Sequence, residues 1–224
     1  MKIIIVGGGI AGLSAYLHLR KHLPNSDTHE ITIYESHRTH STTPATSPQY
    51  EINQSINLDA LSESTAIVGG GLGISPNGMR VLRDLDLDLY DRVVTQGFPA
   101  ENFIFKGANG WTLGMQSTSD RAARAQGLEE ICVASSRHGL WHTLRQFVIE
   151  KHGKAAIEYR KVLEVTRDKS KSMRAQLRII IHSIDEQGKR DVSSADLVIG
   201  ADGVKSVVRR ALFGEDKKCS PVYR

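Results

Sequence analysis

Cysteine is almost missing from this chain: Cys132 and Cys219 are the only two in 224 residues. Two isolated thiols make neither a disulfide framework nor a metal knuckle, and they suit a reducing compartment. Cys132 sits in the apolar run Ile131-Cys132-Val133-Ala134, which reads as core packing. Long hydrophobic stretches are missing too, so no bilayer-spanning helix is expected. No leader-like segment precedes the first strand-like residues, and the expectation is a soluble, cytoplasmic protein. A third absence is a tract of one-signed charge. Lys and Arg number 29 against 25 Asp and Glu, for a net charge of +4, and they are scattered. The best basic run, Lys205 to Arg210, is interrupted by valines and reads as one face of a short helix. Without a basic stripe or an aromatic platform, no nucleic-acid partner is expected.

Familiar catalytic and metal constellations are also lacking. His138 and His142 lie four apart on one helical pattern, but no third ligand is near in sequence, so no metal site is expected. Asp84, Asp86, Asp88 and Asp91 fail as a calcium loop, because Leu89 stands where glycine is required. Alternating Asp and Leu there reads as the end of a helix and the start of a loop. Ser75 is not in a nucleophile elbow, and no Ser-His-acid order stands out. No catalytic acid or base is assigned.

What is there begins at the N-terminus. Lys2 to Val6 is a short β-branched run that reads as a buried parallel strand. Ile10 to Leu23 carries Leu13, Tyr16, Leu17 and Leu19 at helical spacing and ends before Pro24-Asn25. Glu30 to Tyr34 is a second β-branched strand. Strand, glycine turn, helix and strand make a βαβ unit, which implies a right-handed crossover and a parallel sheet.

Between the first strand and the helix lies Gly7-Gly8-Gly9-Ile10-Ala11-Gly12, a Gly-x-Gly-x-x-Gly turn. Gly7 permits the tight turn, Gly9 lets backbone approach a pyrophosphate, and Gly12 lets the helix pack close to the strand. The free amides of Ile10, Ala11 and Gly12 and the helix dipole favour a diphosphate at that end. Glu35 ends the second strand, 23 residues after Gly12, where a carboxylate accepts from adenosine ribose hydroxyls. An acid there disfavours a 2′-phosphate, so NADP is expected to be a poor ligand of this site. Three glycines alone are common in turns. It is strand, turn, helix and acid in register that make a dinucleotide site, and this unit by itself does not separate FAD from NAD.

Further along, Ser36 to Thr65 is rich in Ser, Thr, Pro, Asn and Gln and is expected to be a mobile loop. Gly69 to Gly73 is a second glycine cluster, followed by a helix from Ser75-Pro76-Asn77 to about Asp84. Asn102–Phe105 and Trp111–Met115 read as a hairpin around 107–110. Ile131–Ala134 reads as a strand and Arg137–Lys151 as a helix. Glu158–Val165, Arg174–His182 and Asp191–Ile199 read as strands, and Val204–Phe213 as a closing helix. The fold class expected is α/β, a Rossmann-type domain with an inserted β-rich part. Residues 1–90, 131–165 and 190–214 would form the nucleotide-binding body, with 98–130 and 170–185 as β-rich insertions.

The segment Asp196-Leu197-Val198-Ile199-Gly200-Ala201-Asp202-Gly203-Val204-Lys205-Ser206-Val207-Val208-Arg209 closely resembles the Asp-Gly motif of the group A FAD-dependent aromatic hydroxylases, the family built like p-hydroxybenzoate hydroxylase. Read alone, it also fits an ordinary Asp-Gly turn after a strand. Two further segments agree with the family. Gly69 to Leu82 is similar to its glycine loop and following Pro-Asn helix, and Arg137 with Leu140 and Leu144 matches its Arg-x-x-Leu-x-x-x-Leu helix.

The resemblance implies FAD as cofactor and NAD(P)H as co-substrate. It places Asp202 and Gly203 near the pyrophosphate, with Asp202 also serving NAD(P)H, Gly71 against the flavin, and Arg137 in contact with FAD. The implied reaction is insertion of one atom of O2 into a small, usually aromatic, substrate. Members of the family continue past this segment to a Gly-Asp motif on the flavin side, which is not found before Arg224. Three readings therefore stay open: a monooxygenase represented by its N-terminal portion, a non-catalytic nucleotide-binding remnant, and a flavin oxidoreductase that inserts no oxygen.

Overall fold

The computed structural model describes residues 1–37, 70–118, 130–167 and 178–214. The expected loop therefore lies outside the described residues except at Ser36 and His37, as do Gly69 and Cys219. The chain divides into two compact units, 1–43 with 148–224 and 44–147.

The first unit holds β1 (Lys2–Val6), α1 (Ile10–His22) and β2 (Glu30–Glu35), with a short 3-10 turn at Ser26–Thr28. It also holds β8 (Ile157–Arg167), β9 (Ile179–Asp185), β10 (Arg190–Ala195), β11 (Leu197–Gly200) and a terminal helix, Val207–Phe213. The six strands form one sheet in the order β10-β9-β8-β2-β1-β11. β8, β2, β1 and β11 run parallel. Among these four the spatial order is third, second, first, fourth, the strand order of a Rossmann half. β8 also pairs antiparallel with β9, and β9 with β10, so these three form a meander.

β10 and β11 stand at opposite ends of that order, yet only Asp196 separates them in the chain. The sheet must therefore curl back over itself. Ile4, Val6 and Tyr34 from the parallel part, Val162, Val165, Ile181 and Ala195 from the meander, and Val208 of the terminal helix form one buried cluster. Ile3 and Ile5, alternating with Ile4, are buried on the opposite face. A continuous apolar strand was the right reading of β1, because both of its faces are covered.

The sequence suggested a single strand over Asp191–Ile199; there are two. The break is at Asp196, whose N–H donates to the Lys2 carbonyl at 2.9 Å while its Oδ2 accepts from the Lys2 N–H at 2.7 Å. Those bonds hand the chain from the meander to the parallel sheet.

In the second unit β3 (Gly71–Ile74), β7 (Cys132–Ser136) and β4 (Phe98–Ala100) make a three-stranded antiparallel sheet. The expected hairpin is β5 (Asn102–Lys106) with β6 (Thr112–Ser117), and its Ile104, Phe105, Trp111, Leu113 and Met115 are exposed. α2 (Pro76–Leu85) starts where expected: Ser75 is its N-cap and Pro76 its first residue. The Asp-Leu alternation after it is a second helix, α3 (Leu87–Gln96), and not a loop. The Asp86 carboxylate accepts from the amides of Asp88, at 2.8 Å, and Leu89, so one side chain starts a new helix one residue after the last. α4 (Arg137–His152) runs across the unit boundary, and its Leu140, Trp141, Leu144, Phe147 and Val148 are buried. The terminal helix, Val207–Phe213, is α5. Among the described residues no helix is long and apolar enough to cross a membrane.

Candidate nucleotide-binding site

The turn from β1 to α1 is shaped by backbone contacts that exclude side chains. Gly7 has φ +104°, and a Cβ there would strike the carbonyl oxygen of Ala201. Its amide donates to the Tyr34 carbonyl at 2.8 Å, which ties the turn to the end of β2. A Cβ at Gly12 would fall on the Gly7 carbonyl oxygen, so this glycine sets how closely α1 approaches the strand. Gly9, by contrast, faces open space: a Cβ there would meet nothing within 4 Å.

Gly9 is the N-cap of α1 and supplies no side-chain cap, and the first turn carries no acid. The amide end of a 13-residue helix is thus uncapped among the described residues and open on its glycine side. Its partial positive charge is the condition for anion binding. At the far end Arg20, Lys21 and His22 complement the opposite pole.

Glu35 lies directly beside this turn. Its Oε2 accepts from the Gly8 amide at 2.6 Å, and its Oε1 accepts from the His37 amide at 3.0 Å and the Ser36 hydroxyl at 3.2 Å. Gly8, the variable position of the motif, was not singled out from the sequence. A Cβ on it would stand 2.7 Å from Glu35 Oε2, so a third glycine is what allows the carboxylate to close on the turn. The unbroken Gly7-Gly8-Gly9 run was the available signal.

The Asp202–Gly203 loop abuts the same turn, with the Ala201 amide donating to the Val6 carbonyl at 2.7 Å. The Asp202 carboxylate is engaged internally. Oδ1 accepts from the Ser206 hydroxyl at 2.6 Å, and Oδ2 accepts from the Val207 amide at 2.6 Å and also from the Val208 amide. Ser206 in turn accepts from the Arg209 amide at 2.9 Å. Asp202 therefore holds the start of α5, and Gly203, at φ +76°, turns the chain into it.

Gly7, Gly9, Ile10, Ala11, Gly12, Glu35, Asp202 and Gly203 all belong to the first unit. Gly71 and Arg137 belong to the second, where they are neighbours: Gly71 pairs with Ser136, and the Arg137 amide donates to the Gly70 carbonyl at 3.0 Å. Arg137 is the first residue of α4 and is exposed. Among the described residues no group of three His, Cys, Asp or Glu is placed to hold a metal.

Residues 5–56 match the family model of the NAD(P)-binding Rossmann-like domain. Solved structures with the same fold include p-nitrophenol 4-monooxygenase PnpA from Pseudomonas putida, with TM-score 0.63 and 17% identity over 94% of this chain and 43% of that one. The tetrameric form of 2-methyl-3-hydroxypyridine-5-carboxylic acid oxygenase matches with TM-score 0.58 and 17% identity, over 95% of this chain and 42% of that one. PqsL of Pseudomonas aeruginosa, described as a probable FAD-dependent monooxygenase, matches with TM-score 0.57 and 20% identity, over 95% and 45%. The chain spans less than half the length of each. At these identities the likeness establishes architecture: this chain has a Rossmann-like α/β fold, built as the matching part of these oxygenases is built.

Proposed function

We propose that this chain binds the ADP part of FAD and is the nucleotide-binding portion of a flavin-dependent monooxygenase, which uses NAD(P)H and O2 to hydroxylate a small aromatic substrate. The observation that carries the reading is the open, uncapped amide end of α1 with Glu35 fixed against it.

In this reading the diphosphate sits on the amides of Ile10, Ala11 and Gly12, and Gly7 and Gly9 keep the approach clear. Oε2 of Glu35 is held by the Gly8 amide. Oε1, bonded to the exposed Ser36 and His37, is then the oxygen that turns to the ribose hydroxyls. Asp202 contributes through the loop that it fixes in place, because its carboxylate is occupied by α5. On the 44–147 unit, Gly71 and Arg137 are proposed as further cofactor contacts from the resemblance of their segments. FAD, when bound, supplies the redox chemistry, accepting hydride and activating oxygen. The names of the structural neighbours, oxygenases of a nitrophenol and of a hydroxypyridine, support an aromatic substrate class.

Calorimetry with ADP tests the nucleotide site. Glu35→Ala is expected to weaken ADP binding by about 1–3 kcal/mol, since a part-buried sugar hydroxyl loses a charged acceptor. Unchanged affinity would remove Glu35 from the site. The oxygenase step is tested by bound flavin in the purified protein and by aromatic-stimulated NAD(P)H oxidation.

A further inference from the structure

We infer that the outer edge of β5 is an interface for a second copy of this chain, the two β5 strands pairing antiparallel about Ile104. The argument starts from a strand that buries nothing. All five residues of β5, Asn102-Phe103-Ile104-Phe105-Lys106, are exposed, although its three central side chains are large and apolar. An antiparallel sheet ordinarily covers one of its faces. Here Phe103 and Phe105 lie open on one face and Ile104 on the other, opposite Met115 of β6. A two-stranded hairpin alone is marginal in water, and three or more strands are needed for independent stability.

The backbone selects the edge. The Thr118 amide donates to the Glu101 carbonyl at 2.9 Å, so Glu101, Phe103 and Phe105 turn their polar groups toward β6. Asn102, Ile104 and Lys106 turn theirs outward, and among the described residues no strand pairs with that side. The β6 edge is less suited to extension. Phe105 pairs with Gly114 and Lys106 with Thr112, which leaves Leu113 as an extra residue that bends the strand.

The sequence of β5 is complementary to itself. Pairing about Ile104 sets Ile104 against Ile104, Phe103 against Phe105, and Asn102 against Lys106. The outward-facing groups of Asn102, Ile104 and Lys106 then form the new ladder, and four phenyl rings gather on one face. The only charge in the strand, Lys106, meets a neutral amide at both ends, so no like charges oppose each other. The area is sufficient as well. Phe103, Ile104, Phe105, Trp111, Leu113 and Met115 are 47–75% exposed. At about 150–250 Å² for a large side chain they offer roughly 750 Å² per copy, close to each partner's share of a standard interface.

Sedimentation equilibrium on the full chain tests the pairing. The parent is expected to be a dimer at about 100 µM, as befits a contact of this size. Asn102→Lys sets lysine against Lys106 at both ends of the ladder and should weaken the dimer roughly tenfold, whereas Asn102→Asp sets opposite charges there and should tighten it roughly 3- to 10-fold. Asn102 is exposed and polar, so both variants should keep the fold. Ile104→Lys, which brings two lysines face to face on the symmetry axis, should sediment as a monomer. A parent chain that is monomeric at about 100 µM overturns the proposal. Equal dimerisation of Asn102→Lys and Asn102→Asp also overturns it, since the contact would then lie elsewhere.

Discussion

A methyl group at Gly12 would have two opposing effects. Helix propensity favours Ala over Gly by about 1 kcal/mol in a helix interior. Against that, the new Cβ would lie on the Gly7 carbonyl, a backbone atom that cannot swing aside, and overpacking of this kind costs about 1–3 kcal/mol. The clash should win: Gly12→Ala is expected to lose about 1 kcal/mol of stability in urea denaturation, and a stabilised variant would contradict the close packing of α1. The tight turn at Gly7, the close packing at Gly12 and the place of Glu35 at the end of β2 were legible at this scale, because the Gly-x-Gly-x-x-Gly pattern between a strand and a helix calls for each of them. Gly8 was not, because its requirement comes from a carboxylate 27 residues away that only the folded chain brings to 2.6 Å. Asp202 was found in the sequence, but its bonds to Ser206 and the start of α5 were not, since a motif names a residue without saying which of its neighbours occupy it.

At the scale of elements, capping decided where reading from pattern succeeded. α2 was found from Ser75-Pro76, a start signal with no competitor. α3 was missed because Asp86 lies among four acids that read as a loop, and its role depends on which two amides it faces. Asp86→Ala is expected to cost about 1 kcal/mol, read as a lowered urea midpoint with unchanged slope; an unchanged midpoint would deny it the cap. α4 gives the molecule a pH dependence. Burial, reinforced by His138 and Arg145, lowers the pKa of His142, and burial with Arg20 and Lys151 lowers that of His152, both from an ordinary 6.5. The unfolded chain then binds protons more readily than the folded one just below 6.5, so stability is complete above that value and falls as pH drops through it. Urea midpoints at pH 7.5 and 5.5 should show the decline, and replacing both histidines with glutamine should reduce it, leaving the part due to His18, whose pKa burial also lowers. Stability that rose on acidification would reverse the sign.

Over the whole molecule, the parallel half of the first unit followed from the sequence because its strands are covered on both faces and therefore read as unbroken apolar runs. The curling of the meander did not. Nothing local in Asp191–Ile199 says that its two halves join opposite ends of one sheet; that follows from the Lys2–Asp196 contact and from the shared core of Ile4, Val162, Ile181 and Ala195. The curled sheet leaves the carboxyl ends of β1 and β2 beside the open amide end of α1, the crevice in which such sheets take their ligands.

Gly9→Val probes that crevice most directly. Gly9 has an ordinary extended backbone and free space where a side chain would go, so the fold should accept the substitution at the cost of a poorer N-cap, about 1 kcal/mol. The added side chain would then occupy the place where a diphosphate meets the helix. Calorimetry should show ADP affinity reduced at least tenfold, a loss of about 1.4 kcal/mol or more. A correctly folded Gly9→Val chain that binds ADP as tightly as the parent would contradict the account.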